Sequence, residues 1–241
     1  MSDSAPPCSA ALPRYGVLTI RGPDARSFLQ GQATCNIDEA SDARALPGGL
    51  CNPQGRLYSS FLVVSDGSED LLLRMHADII SITAANLNKY IVFSKADSAD
   101  ESEYYAITGL WGRGSRELID EVCPEPPTQT NDVVTVGRDK IIQRDDTGER
   151  FECWLAAGEE SLLAEALTRC IQCDAREWDA LAVLAGEAEV QAATADEFIP
   201  QMLNYDVSGH VSFTKGCYTG QEVVARLHYR GTAKQIGRAH V

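Results

Sequence analysis

Short strand-like runs that alternate irregularly with helix-length segments, with hairpins among them, constrain this chain more than any other feature of its sequence. Tyr15–Ile20 reads as a strand, and Gly22-Pro23-Asp24 breaks it before a short helix over Ala25–Gln32. Leu57–Val64 is a strand preceded by the turn Asn52-Pro53-Gln54-Gly55, and Asp66-Gly67 lets it pair with Leu71–Arg74 as a hairpin. A helix fits Ala77–Lys89, followed by strands at Tyr90–Ser94 and Tyr104–Thr108 and a helix at Gly114–Val122. After the Pro-rich stretch Cys123–Pro127 come strands at Val133–Val136, Lys140–Gln143 and Glu152–Leu155, then helices at Ser161–Cys170 and Arg176–Ala185. This order predicts an α+β fold with antiparallel sheets rather than a doubly wound parallel sheet. There is no fixed-period repeat, and Pro124–Thr130 is the best internal boundary.

Charge narrows the function. The 241 residues carry 21 Lys+Arg against 35 Asp+Glu, a formal net charge of −14. An extended phosphate-binding face needs clustered Lys and Arg, so direct nucleic-acid binding is not expected. No run approaches the ~18 apolar residues of a membrane span. Met1–Ala11 is Ser/Pro-rich, has no Lys or Arg, and lacks the apolar stretch of a secretion signal. Residues 1–14 are expected to be a disordered tail, and the protein is expected to be cytoplasmic with no membrane partner. Its eight cysteines are then expected as reduced, mostly buried thiols. Cys170 and Cys173 have C-x-x-C spacing, but no second pair at zinc-ligand spacing accompanies them, so a structural role is expected.

Ser208–Gly231 carries the chemistry. His210–Phe213 alternates like a strand end, and Thr219 with Glu222 has the T-x-x-E spacing of a capping box, so a helix is predicted to begin at Gly220. Glu222 and Arg226 lie four apart in the favourable order, with Val223 and Leu227 expected to face the core. Cys217 then sits just ahead of a helix N-terminus and two residues from Lys215. Both the helix dipole and the Lys charge favour a thiolate below the free-thiol value of about 8.5. Gly216 and Gly220 on either side permit close backbone approach. The same residues also fit a tight strand-to-helix turn around a packed cysteine, and spacing alone does not choose between these readings.

Lys215-Gly216-Cys217-Tyr218-Thr219-Gly220-Gln221-Glu222 resembles the signature of the YgfZ family of folate-binding iron–sulfur cluster proteins, relatives of the glycine-cleavage T-protein. Phe198-Ile199-Pro200-Gln201, Asn204, Ser212-Phe213, Arg226 and Arg230-Gly231 extend the resemblance. So do Ile20-Arg21-Gly22-Pro23-Asp24, Phe28-Leu29-Gln30-Gly31-Gln32, Asn52-Pro53-Gln54-Gly55-Arg56, Lys89-Tyr90 and Phe93-Ser94-Lys95. It runs from about Tyr15 to Gly231. The resemblance implies a T-protein (aminomethyltransferase)-like fold, a tetrahydrofolate or related folate ligand, and a role in making or maintaining [4Fe–4S] proteins. In bacteria that role supports enzymes that modify tRNA, for example by methylthiolation. Cys217 and Lys215 would be the reactive pair, with Cys217 a transient cluster ligand. Trp178, Tyr15 and Asn52 would line the folate side. Partners would be iron–sulfur proteins or cluster-assembly factors.

The chain departs from the pattern at several points. Ser59 and Ser60 stand where the T-protein carries an acidic pair, and a hydroxyl cannot supply a carboxylate's charge or basicity. Aminomethyl transfer is therefore the second reading rather than the first. A cysteine-nucleophile hydrolase is a third, and none of His76, His210, His228 and His240 announces itself as its base. Leu184 replaces a glutamate that would anchor the pterin edge, so folate binding is expected to be weak. Relatives continue into a C-terminal β-barrel where only Thr232–Val241 follows here, which implies a missing barrel and a mobile tail over 235–241.

Overall fold

The computed structural model describes residues 6–158 and 160–230. The strands are β1 (Cys8–Ala11), β2 (Tyr15–Arg21), β3 (Leu46–Cys51), β4 (Leu57–Ser65), β5 (Leu71–His76), β6 (Asp97–Asp100), β7 (Tyr105–Trp111), β8 (Val133–Val136), β9 (Asp139–Gln143), β10 (Arg150–Ala156) and β11 (Ile171–Gln172). The helices are α1 (Ala25–Gln30), α2 (Ile80–Ile91), α3 (Ser115–Val122), α4 (Leu162–Leu167), α5 (Ala175–Leu184) and α6 (Gln221–Arg230). This is the predicted α+β class, and it divides into two compact units, each assembled from separated stretches of chain.

Unit 1 comprises Met1–Gly16, Asp42–Ala45 and Glu101–Glu187. Its sheet has the order β11-β1-β7-β10-β9-β8 and is antiparallel except for the parallel pair β1/β11. Leu110, Ile141, Phe151 and Cys153 pack against Leu118, Ile119, Leu163 and Leu167 of α3 and α4. Ser161 starts α4 by accepting the Ala164 N–H at 2.8 Å, and its own hydroxyl donates to Asp139.

Unit 2 comprises Val17–Ser41, Leu46–Asp100 and Ala188–Val241. Its sheet has the order β3-β4-β5-β2-β6, with β3/β4, β4/β5 and β2/β6 antiparallel. Every residue of β4 is buried, so this strand is covered on both faces. Its core gathers Leu18, Ile20, Phe28, Leu50, Phe61 and Leu73 with Tyr205, Val211 and Val224 from the C-terminal stretch.

Several expectations change. Cys8–Ala11 is not part of a disordered tail: β1 is hydrogen-bonded on both sides, to β7 and β11. Pro124–Thr130 is not a boundary but a loop inside unit 1, where the Asp132 carboxylate accepts from Thr128 and Gln129 N–H and from Arg44. Tyr90–Ser94 is not a strand. The buried spacing of Ile80, Thr83, Leu87 and Ile91 carries α2 through Ile91, and Phe93 is left 89% exposed. His210–Phe213 forms no strand. Among the described residues no helix is long and apolar enough to cross a membrane. The tail expected over 235–241, and the barrel remnant with it, lies outside the described residues.

Candidate functional site

The signature turn Lys215–Glu222 belongs to unit 2, and three anchors hold it there. The first is Lys215, whose Nζ donates to the carbonyls of Gln30 at 2.7 Å, Ala33 at 2.6 Å and Cys35 at 2.9 Å. Those three bonds use all three ammonium protons, one of them on the last carbonyl of α1 and two on the stretch that follows it. Burial pushes this ammonium down to about 8, against the opposing pull of Cys35 and Asp38, so it remains charged at neutral pH. The ring of the buried Tyr218 lies 5.3 Å from Nζ, within cation–π range. Burial, reinforced by Cys51, pushes the Tyr218 hydroxyl pKa up, so the ring stays neutral.

The second anchor is the packing of Gly220 on the Asn52–Arg56 turn. Gly220 has φ +84°, and a Cβ added there would run into the Asn52 carbonyl and lie 2.9 Å from Cys51 Cβ. Gly55, at φ +73°, is covered by Val223, whose Cβ would lie 2.7 Å from an added Cβ. The turn is rigid. Asn52 Oδ1 accepts the N–H of Gln54 at 2.9 Å and of Arg56 at 3.1 Å, while Nδ2 donates to Asp196 Oδ1 at 2.7 Å. A register shift at Leu50/Cys51 interrupts the β3/β4 ladder just ahead of it. Burial pushes the Cys51 thiol up to about 12, and that of Cys35 likewise to about 12, so both are inert at neutral pH.

The third anchor is Gln201, whose buried Nε2 donates to the Val224 carbonyl at 2.8 Å and fixes α6. Thr219 hydroxyl donates to Gln32 Oε1 at 3.1 Å, and Gln221 Oε1 accepts the Tyr218 N–H at 3.1 Å. The helix entry is therefore built differently from the expected capping box: Gln221, the first helical residue, reaches back, and Thr219 bonds to Gln32, two residues past α1. Val224, not Val223 or Leu227, is the fully buried residue of α6. Glu222 and Arg226 are exposed on the outer face.

Between these anchors Cys217 is exposed, with Gln221 Nε2 donating to its Sγ at 3.5 Å. Lys215 was expected to support a thiolate there, but its three protons are spent on carbonyls, so it positions the turn instead. Gly216 has open space around a built Cβ and no left-handed φ, so only Gly220 needs to be glycine. His210 stacks on Tyr205 at 3.9 Å and His228 on Phe213 at 3.7 Å, which assigns both rings to packing.

The predicted folate-side residues divide between the units. Asn52 lies beside the signature, whereas Tyr15 and Trp178 belong to unit 1. Trp178 is 1% exposed, lies 5.9 Å from Trp111, has the Arg150 guanidinium 4.4 Å over it, and covers Gly109 so closely that an added Cβ would collide with the ring. It is a core residue with no open stacking face. Tyr15 is buried under Arg14 at 4.7 Å. Leu184 is 83% exposed at the rim of a cavity of about 630 Å³ in unit 1. There Glu187 accepts from Arg150 at 3.0 and 2.9 Å and from Arg144 at 3.3 Å. Ser59 donates to Met75 Sδ at 3.8 Å, and Ser60 Oγ accepts the Val190 N–H at 2.7 Å, both within the buried strand. Sequence reasoning missed the carbonyl cage of Gln30, Ala33 and Cys35; the only trace of it was the break Gly31 between two glutamines.

The fold is that of a T-protein-like aminomethyltransferase. The glycine cleavage system aminomethyltransferase T from Bartonella henselae superposes with a TM-score of 0.71 over 94% of this chain, at 15% identity, and the chain spans 64% of that structure. No protein-family model matches the chain. The tRNA-modifying protein YgfZ of Escherichia coli O157:H7 is 31% identical over 238 residues, covering 95% of this chain and 72% of its own length. The protein of the same name from Yersinia pseudotuberculosis is 32% identical, covering 97% and 71%. The chain belongs to the YgfZ family.

Proposed function

We propose that this protein is a cytoplasmic, folate-binding accessory factor in the assembly or maintenance of [4Fe–4S] proteins, and that through them it supports tRNA modification. The observation that carries the reading is Cys217. It is the one exposed thiol among the described cysteines, and it is presented between Lys215 and Gly220, both of which are pinned to the body of unit 2. A thiol held on a preorganised turn can lose its proton to solvent and bind the iron of a client's cluster, then release it unchanged. The relatives' name, tRNA-modifying protein YgfZ, supports choosing tRNA modification as the readout. A net charge of −14 favours protein clients over a grip on the tRNA itself. The buried, hydrogen-bonded hydroxyls of Ser59 and Ser60 give no support to aminomethyl transfer, which needs a carboxylate.

Complementation of a bacterial strain lacking its own YgfZ, scored by tRNA methylthiolation, tests this. The wild-type chain and Gly216→Ala should restore the modification and Cys217→Ser should not. Full restoration by Cys217→Ser would overturn the assignment of the thiol. Calorimetry with tetrahydrofolate should show weak binding, and no heat at millimolar folate would remove folate from the reading.

A further inference from the structure

Cys173 is not paired with Cys170, its C-x-x-C neighbour. Cys170 is buried, which pushes its thiol pKa up, while the Ser9 hydroxyl favours its thiolate. Cys173 meets Cys8 instead. β1 and β11 run parallel with Cys8 opposite Ile171 and Ser9 opposite Gln172, and the Cys173 N–H donates to the Ser9 carbonyl at 2.9 Å. Gln172 Nε2 braces the pair by donating to Ser9 Oγ at 2.9 Å. Immediately afterwards Asp174 caps α5 by accepting the Arg176 N–H at 2.9 Å, which puts Glu177 in the first helical turn. The two sulfurs and a Glu177 carboxylate oxygen all lie within 4.8 Å of one another.

We propose that Cys8, Cys173 and Glu177 bind a thiophilic divalent cation of the zinc class, with water in the fourth position. Two thiolates and a carboxylate match that ion's ligand preferences, and its bonds of roughly 2.0–2.3 Å require only that the three side chains close in slightly. Both cysteines are half-buried and Glu177 is exposed, so the ion has a way in from solvent. Thiolates rather than thiols ligate such an ion, so its binding releases protons to solvent. The ion would staple β1 to β11 and α5 inside unit 1.

The test is Co²⁺ titration of the reduced full-length chain under anaerobic conditions. One equivalent should produce a thiolate-to-cobalt charge-transfer band and tetrahedral ligand-field bands, both abolished by competing Zn²⁺. Cys8→Ser and Cys173→Ser should each weaken binding by more than ~100-fold, and Glu177→Gln by about tenfold, since even outer-shell losses cost ~10–100-fold. Cys217→Ser should leave the spectrum unchanged. Circular dichroism without metal checks that each variant is folded; should a cysteine variant unfold, Glu177→Gln decides, because its side chain is exposed. Absence of the bands up to millimolar cobalt, their survival in Cys8→Ser, or their loss in Cys217→Ser would each overturn the site.

Discussion

The signature turn of unit 2 and the surroundings of Trp178 in unit 1 spend the same kind of resource in opposite ways. Around Lys215–Glu222, polar groups and backbone carbonyls are used to hold a loop so that one small side chain, Cys217, stays in solvent. Around Trp178, a large aromatic is packed among Gly109, Trp111 and Arg150 until 1% of it is exposed. Buried ring area stabilises a unit by several kcal/mol but leaves nothing to react or recognise. A cage of hydrogen bonds contributes little net stability, yet it fixes geometry. Functional presentation here depends on anchors that are themselves hidden.

The contrast can be broken by substitution. Trp178→Ala should cost about 3–5 kcal/mol in urea unfolding, by lost transfer energy and the cavity left behind. The same variant should leave the Cys217 alkylation rate of the folded protein unchanged; a loss below about 1 kcal/mol would return the ring to a ligand-facing role. Gly220→Ala should cost roughly 2–3 kcal/mol, because a left-handed φ and a collision with the Asn52 carbonyl act together, while Gly216→Ala stays within about 0.5 kcal/mol. Equal effects at the two glycines would mean that the turn is not docked on Asn52.

A further effect is one of pH. Lys215 falls to about 8 from the ordinary 10.5, so the unfolded chain holds this proton more tightly than the folded one. Stability from this group is therefore gained as pH rises through 8 to 10.5. Compared with Lys215→Met, the wild type should improve over that window, read from paired denaturation curves; a difference that is flat or falls would contradict the buried cage.

How much of this was legible from sequence follows the same division. The signature stood out because glycines, a lysine and a cysteine at tight spacing have few packing explanations, and the structure does gather it with Asn52. Its anchors were not legible: Lys215 meets Gln30, 185 residues away, through main-chain oxygens that no side-chain pattern encodes. Val223 and Leu227 were read as the core face of α6, but docking of Gly220 on Asn52 and the Gln201 bond set the rotation that buries Val224. Trp178 gave a false lead because a lone aromatic looks the same whether it stacks on a ligand or on a glycine. β6 was missed because Asp97 and Asp100 are poor strand formers, yet an edge strand tolerates them beside β2. β1 was missed because four small residues carry no periodic signal; its pairing on both sides makes it a strand.

The division of unit 2 into three stretches of chain also sets an order of events during synthesis. Its sheet strands emerge early, but the Lys215 ammonium that gathers the Gln30, Ala33 and Cys35 carbonyls leaves the ribosome only after all of Glu101–Glu187 has been made. Until then those carbonyls have only water, and the pocket for Tyr218 and Val224 stands open. Closing it brings together residues nearly the whole chain apart, which is the slow kind of contact. The thiol is thus mounted last, on a scaffold already formed, and a ribosome-bound chain lacking Ala188 onward has no means of presenting it.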